Sequence, residues 1–386
     1  MFRDFLNPYG RYFRAQGWRV DAMACDALES PECRSSFDSI WNVNWSRNPL
    51  APRNMTHIPR DLRAIVREAD YDIVHVHTPV PGFVTRCALR RLRQSGRPKI
   101  IYTAHGFHFH PEGRFAMNLM FAGLEKIAGR WTDYLVVINR ADELSALAYG
   151  LVSSKRLVYM PGIGVDTEYY KSAAVGHAQV KQVREELGLR TGEHVFLMIA
   201  EFRAGKRHRD ALRAFARLND PAAYLAFAGT GPLMDAVARL ARELGIAGRV
   251  KFLGFRRDIP ALIRASVAVV LPSEREGLPR SIMEALLLEV PVIGTDVRGT
   301  RDLVSGGGGI LVQLGNHGQL CDALRRVLQD PGDARRLVRG ARERMEQYDL
   351  RHIIQLHEKL YDQALADSRV PAASTGVQFS IPRQSS

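Results

Sequence analysis

The sequence predicts an α/β protein built from two doubly wound domains that face each other across a cleft. Short apolar runs alternate with helical segments nearly throughout the 386 residues, which is typical of parallel sheets covered by helices. The alternation weakens between 165 and 190 and then restarts, and a chain of this length favours two domains over one. We therefore expect domains at 1–170 and 171–366, followed by a disordered tail at 367–386.

The candidate strands are short apolar runs bounded by turn residues. In the first half they are 18–24, 72–78, 99–104, 133–139 and 156–162. In the second half they are 194–200, 223–229, 249–254, 267–273 and 290–295, with helices between them at 206–218, 231–245, 258–265 and 278–288. Further helices are predicted at 316–328, 332–346 and 350–366, without another strand. Doubly wound domains bind ligands at the carboxyl ends of their strands, so the cleft is the expected site.

Composition excludes several classes of protein. No apolar run approaches the roughly 18 residues of a membrane span, no signal peptide opens the chain, and the scattered cysteines indicate reduced thiols in the cytoplasm. The net charge of +13 predicts an anionic partner, although no motif for nucleic acid accompanies it. A phosphorylated substrate or an anionic membrane fits equally well. The densest basic stretch, 86–99, is either a solvated helix face or a membrane-facing patch.

The stretch "EGLPRSIMEA" combines two carboxylates with a helix start, directly after the strand at 267–273. Glu276 lies in the loop before the helix, and Glu284 lies about one and a half turns inside it. Pro279 suits the first helical turn, whose N–H groups can bind a diphosphate. Because carboxylates accept paired hydroxyl hydrogen bonds, a diphosphate flanked by two sugars fits these features. Either glutamate alone is better explained as a cap or a surface acid, but their spacing around Gly277 and Pro279 favours a site.

The segment "SEREGLPRSIMEALLLEVPVIGTD" resembles the E-x7-E motif of the retaining glycosyltransferases of family 4, which have the two-domain GT-B fold. "HTPVPGFVTRCALRR", "IIYTAHGFHFH" and "PGIGVD" resemble the members that build capsular and extracellular polysaccharide, and the similarity covers nearly the whole chain. The resemblance implies that Glu284 binds the ribose of a nucleoside diphosphate sugar and that Glu276 contacts its hexose. Gly277, Leu278 and Pro279 would complete this donor-binding loop.

The segment "AEFRAGKRHRD" places a cluster of cations where a strand ends and a helix begins. A cation here would neutralise a leaving diphosphate, and cations at a helix N-terminus otherwise oppose the helix dipole. The family pattern has an arginine and then a lysine five residues later, whereas this chain has Glu201 and Lys206 at those places. The resemblance therefore implies a diphosphate clamp by Lys206, with Arg203 as a substitute for the arginine.

Two further turns of the second domain match loops that line the donor pocket in the family. "AGTGPL" is a strand–turn–helix junction with Gly229 and Gly231, which is a weak signal without the resemblance. "FLGFRRD" resembles the loop whose backbone pairs with the nucleobase, and it contains Gly254, Phe255 and Arg256.

The segment "HGFHFH" contains three histidines, which raises the possibility of a metal site. The spacing of His105, His108 and His110 does not form a chelating face and no nearby Cys or Asp supports it, so we predict no metal and no cofactor. The resemblance instead implies that His105 faces the cleft and hydrogen-bonds the transferred hexose. On the strand at 72–78, His77 could reach the cleft, whereas His75 is predicted to be structural.

The helix predicted at 114–131 carries an unusual apolar mass. Its large apolar residues include Phe115, Met117, Leu119, Met120, Phe121 and Leu124. Most such helices belong to a protein core. The acceptors of this family often carry a polyprenyl diphosphate, so the helix could instead lie on a membrane beside the acceptor cleft.

The features together predict a retaining transferase that moves a hexose from a nucleoside diphosphate sugar to a saccharide acceptor, which is expected to be lipid-linked. The first domain would bind the acceptor and the second the donor, at the inner face of the plasma membrane and without nucleic acid. Alternatives from other classes are a nucleotide-sugar epimerase of the same fold and a non-catalytic binding protein. A nicotinamide dehydrogenase is disfavoured, because no G-x-G-x-x-G follows a strand.

The first residues raise a separate expectation. In the family, a strand and a glycine-containing loop precede a helix that resembles residues 5–17, and the strand at 18–24 comes after it. We therefore predict that the chain as given lacks the central strand of its first sheet. The strands at 18–24 and 72–78 would then lie about 10 Å apart with unpaired backbone groups. Restoring roughly 15–25 upstream residues is expected to raise stability and activity.

Overall fold

The computed structural model describes residues 5–25, 31–46, 48, 51–109, 113 and 115–367, so nearly all of the predicted tail lies outside it. Its strands are β1 Ala22–Ala24, β2 Ile40–Asn42, β3 Ile73–His77, β4 Lys99–Ala104, β5 Tyr134–Val137, β6 Leu157–Tyr159, β7 His194–Ile199, β8 Ala223–Ala228, β9 Val250–Gly254, β10 Ala268–Leu271, β11 Val292–Thr295 and β12 Gly309–Val312. Its helices are α1 Asn7–Ala15, α2 Pro31–Ser36, α3 Pro52–Met55, α4 His57–Ala69, α5 Pro79–Leu89, α6 Phe115–Gly129, α7 Arg140–Tyr149, α8 His177–Glu186, α9 His208–Leu218, α10 Met234–Glu243, α11 Ile259–Ala265, α12 Arg280–Leu287, α13 Thr300–Val304, α14 His317–Gln329, α15 Pro331–Leu337, α16 Ala341–Met345 and α17 Leu350–Ala366.

The strands form parallel sheets in two α/β units, which confirms the predicted fold class. The first unit contains a four-stranded sheet in the order β3-β4-β5-β6 and a separate two-stranded sheet, β1-β2. The second unit contains a six-stranded sheet in the order β12-β11-β10-β7-β8-β9. Every pair in these sheets is parallel, as expected where helices connect successive strands.

The ten predicted strands are all present, although several are shorter than predicted. The sequence reading missed β2 and β12. β12 follows a run of glycines, and glycine is depleted in strands because it has no side chain to pack. The helix predicted at 332–346 is divided into α15 and α16, since Gly340 between them has a left-handed backbone (φ 69°).

The middle of the second sheet positions the main candidate site. All four residues of β10 are buried between helices of the two faces, and their apolar side chains belong to the second unit's core. Parallel strands of this kind are covered on both faces and therefore consist of nearly continuous apolar runs. The loop after β10 leaves this rigid core at the carboxyl edge of the sheet, where doubly wound folds bind ligands.

The last helix returns to the first unit. Ile353 and Ile354 of α17 pack with Phe13 of α1, and Leu360 packs with Ile101 of β4. The sequence reading assigned 350–366 to the second domain, because an amphipathic helix does not reveal which sheet its apolar face will cover. The division at residue 170 stays a prediction.

The two strands that the sequence analysis expected to be separated belong to different sheets. No backbone hydrogen bond joins β1 to β3 within the described residues, whereas the distance of about 10 Å between them stays a prediction. Aromatic rings from α1 and α17, among them Phe13 and Tyr361, lie beside the resulting gap. None of the helices in the described part of the chain is long and apolar enough to cross a bilayer.

Candidate active site

The loop between β10 and α12 carries the two predicted carboxylates. Glu276 and Glu284 retain only 8% and 5% of their surfaces exposed. Pro279 is the N-cap of α12, one position before the first helical residue, whereas the sequence reading placed it in the first turn. The two buried carboxylates therefore flank one helix start, which is a position suited to an anion.

Each of the two carboxylates has a cation beside it. The Lys206 ammonium donates to Glu276 Oε1 at 2.6 Å, and Arg280 Nε lies 2.8 Å from Glu284 Oε1. Burial raises the pKa of Tyr170, and the neighbouring Glu284 carboxylate raises it further. Lys206 thus points at the loop of the two glutamates, as its predicted role requires. A ligand rich in hydroxyl and phosphate oxygens could share these cations with the carboxylates.

Arg203, the other predicted member of the clamp, is paired differently. Its guanidinium lies 2.6 Å from Glu201, and both side chains are about half exposed (44% and 52%). Such an exposed pair contributes little free energy, so it constrains Arg203 weakly. The proposed substitution of Arg203 for the family arginine therefore stays a prediction.

Gly229 and Gly231 bring the turn after β8 directly against the chain that follows β7. A Cβ on Gly229 would lie 2.1 Å from the Ala200 carbonyl oxygen, and one on Gly231 would lie 2.7 Å from the Phe202 nitrogen. Both glycines have positive φ angles (150° and 151°), which side chains disfavour. The turn therefore needs glycine at both positions to pack against the start of the Lys206 segment.

In the loop after β9, the predicted residue Phe255 is exposed, whereas Arg256 is held by ion pairs. Gly254 has a φ of 65°, and Phe255 beside it is 61% exposed. Arg256 is held by Glu186 at 2.8 Å and Asp258 at 2.6 Å, and these hydrogen bonds raise its pKa. The Phe255 ring is therefore open to contact, whereas the Arg256 guanidinium is engaged by Glu186 and Asp258.

His105 and Gly277 bring the two units into contact. A Cβ on Gly277 would lie 2.1 Å from the His105 carbonyl oxygen, and one on Gly299 would lie 2.1 Å from the Gly277 carbonyl oxygen. The neighbouring Leu278 packs against Gly162, where a Cβ would lie 2.8 Å from its Cδ2. The glutamate loop is therefore seated between segments of both units, and the predicted residues His105, Gly277 and Leu278 meet there.

Two family models match the chain along most of its length. Residues 9–169 match the model described as Glycosyltransferase Family 4, and residues 179–344 match that of Glycosyl transferases group 1. The protein named "Putative glycosyltransferase EpsD" of Bacillus subtilis is 32% identical over 345 residues, which cover 89% of this chain and 88% of the relative. The chain belongs to glycosyltransferase family 4.

More distant relatives agree with this assignment. The UDP-Gal:alpha-D-GlcNAc-diphosphoundecaprenol alpha-1,3-galactosyltransferase of Escherichia coli is 29% identical over 294 residues, covering 73% of this chain and 74% of the relative. The structure of Anabaena HepE in complex with UDP-glucose superposes with a TM-score of 0.76 at 20% identity, covering 93% of this chain and 95% of that one. At that identity the likeness shows the fold alone, and it confirms the predicted GT-B architecture.

A row of histidines runs from the cleft of this glycosyltransferase to its last helix. His105 Nε2 lies 3.0 Å from His77 Nδ1, and the ring of His77 stacks on that of His75 with centroids 4.3 Å apart. His75 in turn makes hydrogen bonds to Thr103 (2.7 Å) and to Tyr361 of α17 (2.6 Å). His77 thus contacts His105, and His75 connects the row to α17, while the predicted roles of both histidines stay predictions.

The histidine row is held neutral by its surroundings. Burial, and to a smaller extent the charge of nearby His357, lowers the pKa of His105 to about 4. Burial, followed by neighbouring histidines, holds the pKa of His75 and His77 well below the usual value. His110 lies outside the described residues, and within them no group of three or more His, Cys, Asp or Glu could hold a metal ion. The His105 ring is therefore neutral near pH 7.

Because these histidines are buried, we expect the protein to lose stability in mild acid. In the unfolded chain each histidine binds a proton near pH 6.5, whereas in the folded chain the pKa of His105 and of His357 is about 4. The unfolded state then binds more protons between these values, so the free energy of unfolding should fall as the pH drops from 6.5 toward 4. The slope should be about 1.4 kcal/mol per pH unit for each such histidine. Urea unfolding at pH 7.5, 6.0 and 5.0 measures it, and a flat profile would contradict the assignment.

The glycosyltransferase also has an ion pair between its two units, which the sequence analysis missed. Arg298 of the second unit donates to Asp142 Oδ1 of the first at 2.6 Å, and both side chains are buried (8% and 0% exposed). Arg298 also donates to the carbonyl oxygens of Phe107 and Phe109, in the loop that follows His105. The segment "DVRGT" has no pattern that distinguishes such an arginine from a surface one.

The partners of Asp142 complete this interdomain network. Asn139 caps α7 by accepting from Asp142 N at 2.8 Å and donates to Asp142 Oδ2 at 2.9 Å. The Asn139 amide also donates to the Gly277 carbonyl oxygen at 3.2 Å. Burial raises the pKa of Asp142, while the Arg298 charge opposes this shift. We name Arg298, Asp142 and Asn139 the interdomain clasp, because they connect the His105 loop to the glutamate loop.

Proposed function

We propose that this glycosyltransferase moves a hexose from a nucleoside diphosphate sugar to a lipid-linked saccharide, with retention of the anomeric configuration. The observation that carries the proposal is the buried pair Glu276 and Glu284 around the start of α12, with Lys206 2.6 Å from Glu276. The name of the E. coli relative, which specifies a UDP-galactose donor and a diphosphoundecaprenol acceptor for that protein, supports the same substrate classes here.

The donor would lie along the carboxyl edge of the second sheet. Glu284 would accept from the ribose hydroxyls, and Glu276 would accept from hydroxyls of the hexose. The start of α12 and Lys206 would bind the diphosphate, with Arg203 as a second cation. Phe255, which is 61% exposed, would contact the nucleobase. The turn at Gly229 and Gly231 would let the chain approach the donor without side-chain obstruction.

The reaction would replace one bond at the anomeric carbon by another on the same face of the sugar. The acceptor hydroxyl oxygen bonds to this carbon while the bond to the diphosphate oxygen breaks, and the hydroxyl proton passes to the departing diphosphate. Positive charge develops on the sugar ring and negative charge on the diphosphate, so Lys206 and the helix start stabilise the leaving group. Neutral His105 would orient the hexose without placing a second cation beside the developing positive charge.

A donor panel followed by product analysis tests the proposal. Nucleoside diphosphate hexoses should raise Tm in a thermal-shift assay, since a ligand bound at 100 times its Kd stabilises by about 2.7 kcal/mol. The best donor is then incubated with a lipid diphosphate disaccharide, and NMR of the product should show the anomeric configuration of the donor. Inversion would contradict the mechanism. An epimerised free donor would instead support the epimerase, and binding without turnover would support a non-catalytic protein.

We propose further that α6 and the end of α7 rest on the membrane that carries the acceptor. The sequence analysis left α6 open between a core helix and a membrane helix. Its apolar residues are largely exposed: Phe115 82%, Met117 44%, Leu119 59%, Met120 47%, Leu124 40% and Ile127 45%. Leu144 and Leu147 of α7 are also exposed, at 67% and 48%. An apolar surface of this kind beside exposed cations such as Lys126 fits an anionic bilayer, on the cytoplasmic side.

Vesicle flotation tests this contact. The double variant Leu119→Ser with Leu124→Ser should reduce binding to phosphatidylglycerol vesicles by about tenfold or more, since each buried leucine contributes about 1.5–3 kcal/mol. The matched control is Leu314→Ser, because Leu314 is an exposed leucine (45%) of the second unit. Equal flotation of the wild type and the double variant would show that α6 does not contact the membrane. Failure of the enzyme to transfer sugar would leave this result unaffected.

A further inference from the structure

A hydrogen bond joins the ends of two neighbouring strands in the first unit. β3 ends at His77, β4 ends one residue before His105, and His77 Nδ1 lies 3.0 Å from His105 Nε2. Among the described residues, the second nitrogen of each ring, His77 Nε2 and His105 Nδ1, makes no hydrogen bond. Both residues keep part of their surface exposed, so these two nitrogens are open to a ligand or to water.

The bond allows two arrangements of protons in the pair. A neutral imidazole carries one N–H donor and one bare acceptor nitrogen, and burial keeps the pKa of both histidines below the usual value. If His105 donates from Nε2, its Nδ1 is bare; if His77 donates from Nδ1, the Nδ1 of His105 carries the proton. The tautomer of His105 is therefore set by the nitrogen that His77 offers to it.

The chemistry of the imidazole ring favours the first arrangement. In water, a neutral histidine prefers to carry its proton on Nε2 rather than on Nδ1. When His105 donates to His77 Nδ1, both rings have this preferred form, whereas in the reverse arrangement neither has it. The Nδ1 atom of His105 is then a bare acceptor, which suits a hydroxyl donor.

The ring of His77 is held from its other side by His75. The two residues lie two positions apart on β3 and therefore on the same face of the sheet, and their rings stack with centroids 4.3 Å apart and planes 28° from parallel. The His75 ring is itself fixed, because one nitrogen lies 2.7 Å from Thr103 Oγ1 and the other 2.6 Å from the Tyr361 hydroxyl. The orientation of His77 therefore depends on contacts with both β4 and α17.

The pair lies beside the glutamate loop. A Cβ on Gly277 would lie 2.1 Å from the His105 carbonyl oxygen, so the backbone of His105 contacts the residue after Glu276. In the proposed function, on which this inference rests, His105 orients the hexose while Glu276 accepts from its hydroxyls. A tilt of the His105 ring would move its free nitrogen relative to the hexose, and a misplacement of about 1 Å near a reacting centre can cost 100-fold in rate.

We propose that His77 is a positioning residue for sugar transfer, which fixes the ring of His105 and leaves its bare Nδ1 to accept a hydrogen bond from a hexose hydroxyl. His77 acts on the reaction through His105. A histidine that only fills the edge of the sheet would behave differently, because its removal would affect turnover whether or not the His105 ring is present.

Two substitutions of His77 separate its hydrogen bond from its stacking. His77→Phe keeps a ring to stack on His75 but cannot bond to His105, and kcat should fall about tenfold, the value of one good hydrogen bond. The Kd of a nucleoside diphosphate should stay within about threefold, because this ligand carries no hexose. His77→Asn places an amide near the position of Nδ1 and should keep kcat within about threefold of the wild type. The control, His352→Phe, replaces an exposed histidine of α17 and should leave kcat and Kd unchanged.

A double-variant cycle tests whether His77 acts through His105. His105→Ala should itself lower kcat, and His77→Phe should then cause no further loss in the His105→Ala protein. Losses that multiply in the double variant, or a wild-type kcat in His77→Phe beside an impaired His105→Ala, would overturn the positioning role but leave the proposed function intact. A wild-type kcat in His105→Ala would instead contradict the role of His105 in the proposed function, and the inference about His77 would fail with it.

Nuclear magnetic resonance of isotopically labelled histidine nitrogens in the full chain tests the bond without sugar transfer. In the wild type, a coupling between His77 Nδ1 and His105 Nε2 should be seen across the N–H···N bond, with the proton on His105. The signals that disappear in the His105→Ala protein identify the His105 ring. In His77→Phe the coupling should be absent, and the His105 ring should populate both tautomers. A proton on His77 Nδ1, or no coupling in the wild type, would overturn the proposal.

Discussion

Glu276→Ala is expected to lower turnover by about 100-fold while changing nucleoside diphosphate affinity little, whereas Glu284→Ala should mainly weaken donor binding. Each carboxylate is nearly buried, so a sugar hydroxyl that loses its acceptor there is left unpaired, at a cost of about 1–3 kcal/mol. For Glu284 that cost predicts a rise in donor Kd of about 5- to 150-fold. For Glu276 the loss should be larger in turnover, because its partner Lys206 is the cation proposed to bind the departing diphosphate. Steady-state kinetics and isothermal titration with a nucleoside diphosphate measure the two effects.

The loop itself offers a matched control. Glu274 lies two positions before Glu276 but is exposed, so Glu274→Ala should leave both constants nearly unchanged. Glu276→Gln keeps an oxygen for Lys206 to bond, and it separates the loss of charge from the loss of the hydrogen bond. Wild-type turnover in Glu276→Ala, with a native circular dichroism spectrum, would remove this glutamate from the reaction.

The sequence was sufficient to predict the parts of this molecule that depend on local pattern. Buried parallel strands such as β10 are continuous apolar runs, and the carboxyl end of such a run predicts where a ligand binds. The spacing of Glu276 and Glu284 around a helix start then identified two side chains that the structure buries. The contact of Lys206 with Glu276 was consistent with that prediction, although the lysine is distant in the sequence.

Features that depend on the packing of distant segments could not be predicted in this way. The sequence gives no sign that Arg298 crosses to Asp142, because an arginine after a strand end is usually a surface residue. For the same reason the sequence does not show that α17 packs against α1, and the glycine run before β12 conceals that strand. Lys206 and Arg203 show that this limit on prediction also applies within one short segment. Both are cations, but in the structure Lys206 contacts Glu276 whereas Arg203 pairs with Glu201.

Loosening the interdomain clasp should reduce turnover without weakening the nucleotide site. Arg298→Lys keeps the positive charge beside Asp142, but a lysine ammonium cannot reproduce the fork that also bonds the carbonyl oxygen of Phe107. The loop that carries His105 would then lose one of its attachments to the second unit. Because a displacement of about 1 Å at a reacting centre can cost 100-fold, we expect kcat to fall by about 10- to 100-fold. The Kd of a nucleoside diphosphate should stay within about threefold, since Glu284 and Lys206 are untouched.

The control for this prediction lies three positions later, in α13. Arg301 pairs with Asp296 at 2.6 Å on the surface (51% and 43% exposed), so Arg301→Lys should leave kcat and Kd unchanged. Arg298→Met is the more severe test, because it leaves the buried Asp142 carboxylate without its cation, which typically costs about 3–5 kcal/mol of stability. Adding Asp142→Asn to that variant should recover much of the stability but little of the turnover. If the double variant recovered both, the clasp would serve only to hold the fold, and the position of the His105 loop would depend on the contact with Gly277 instead.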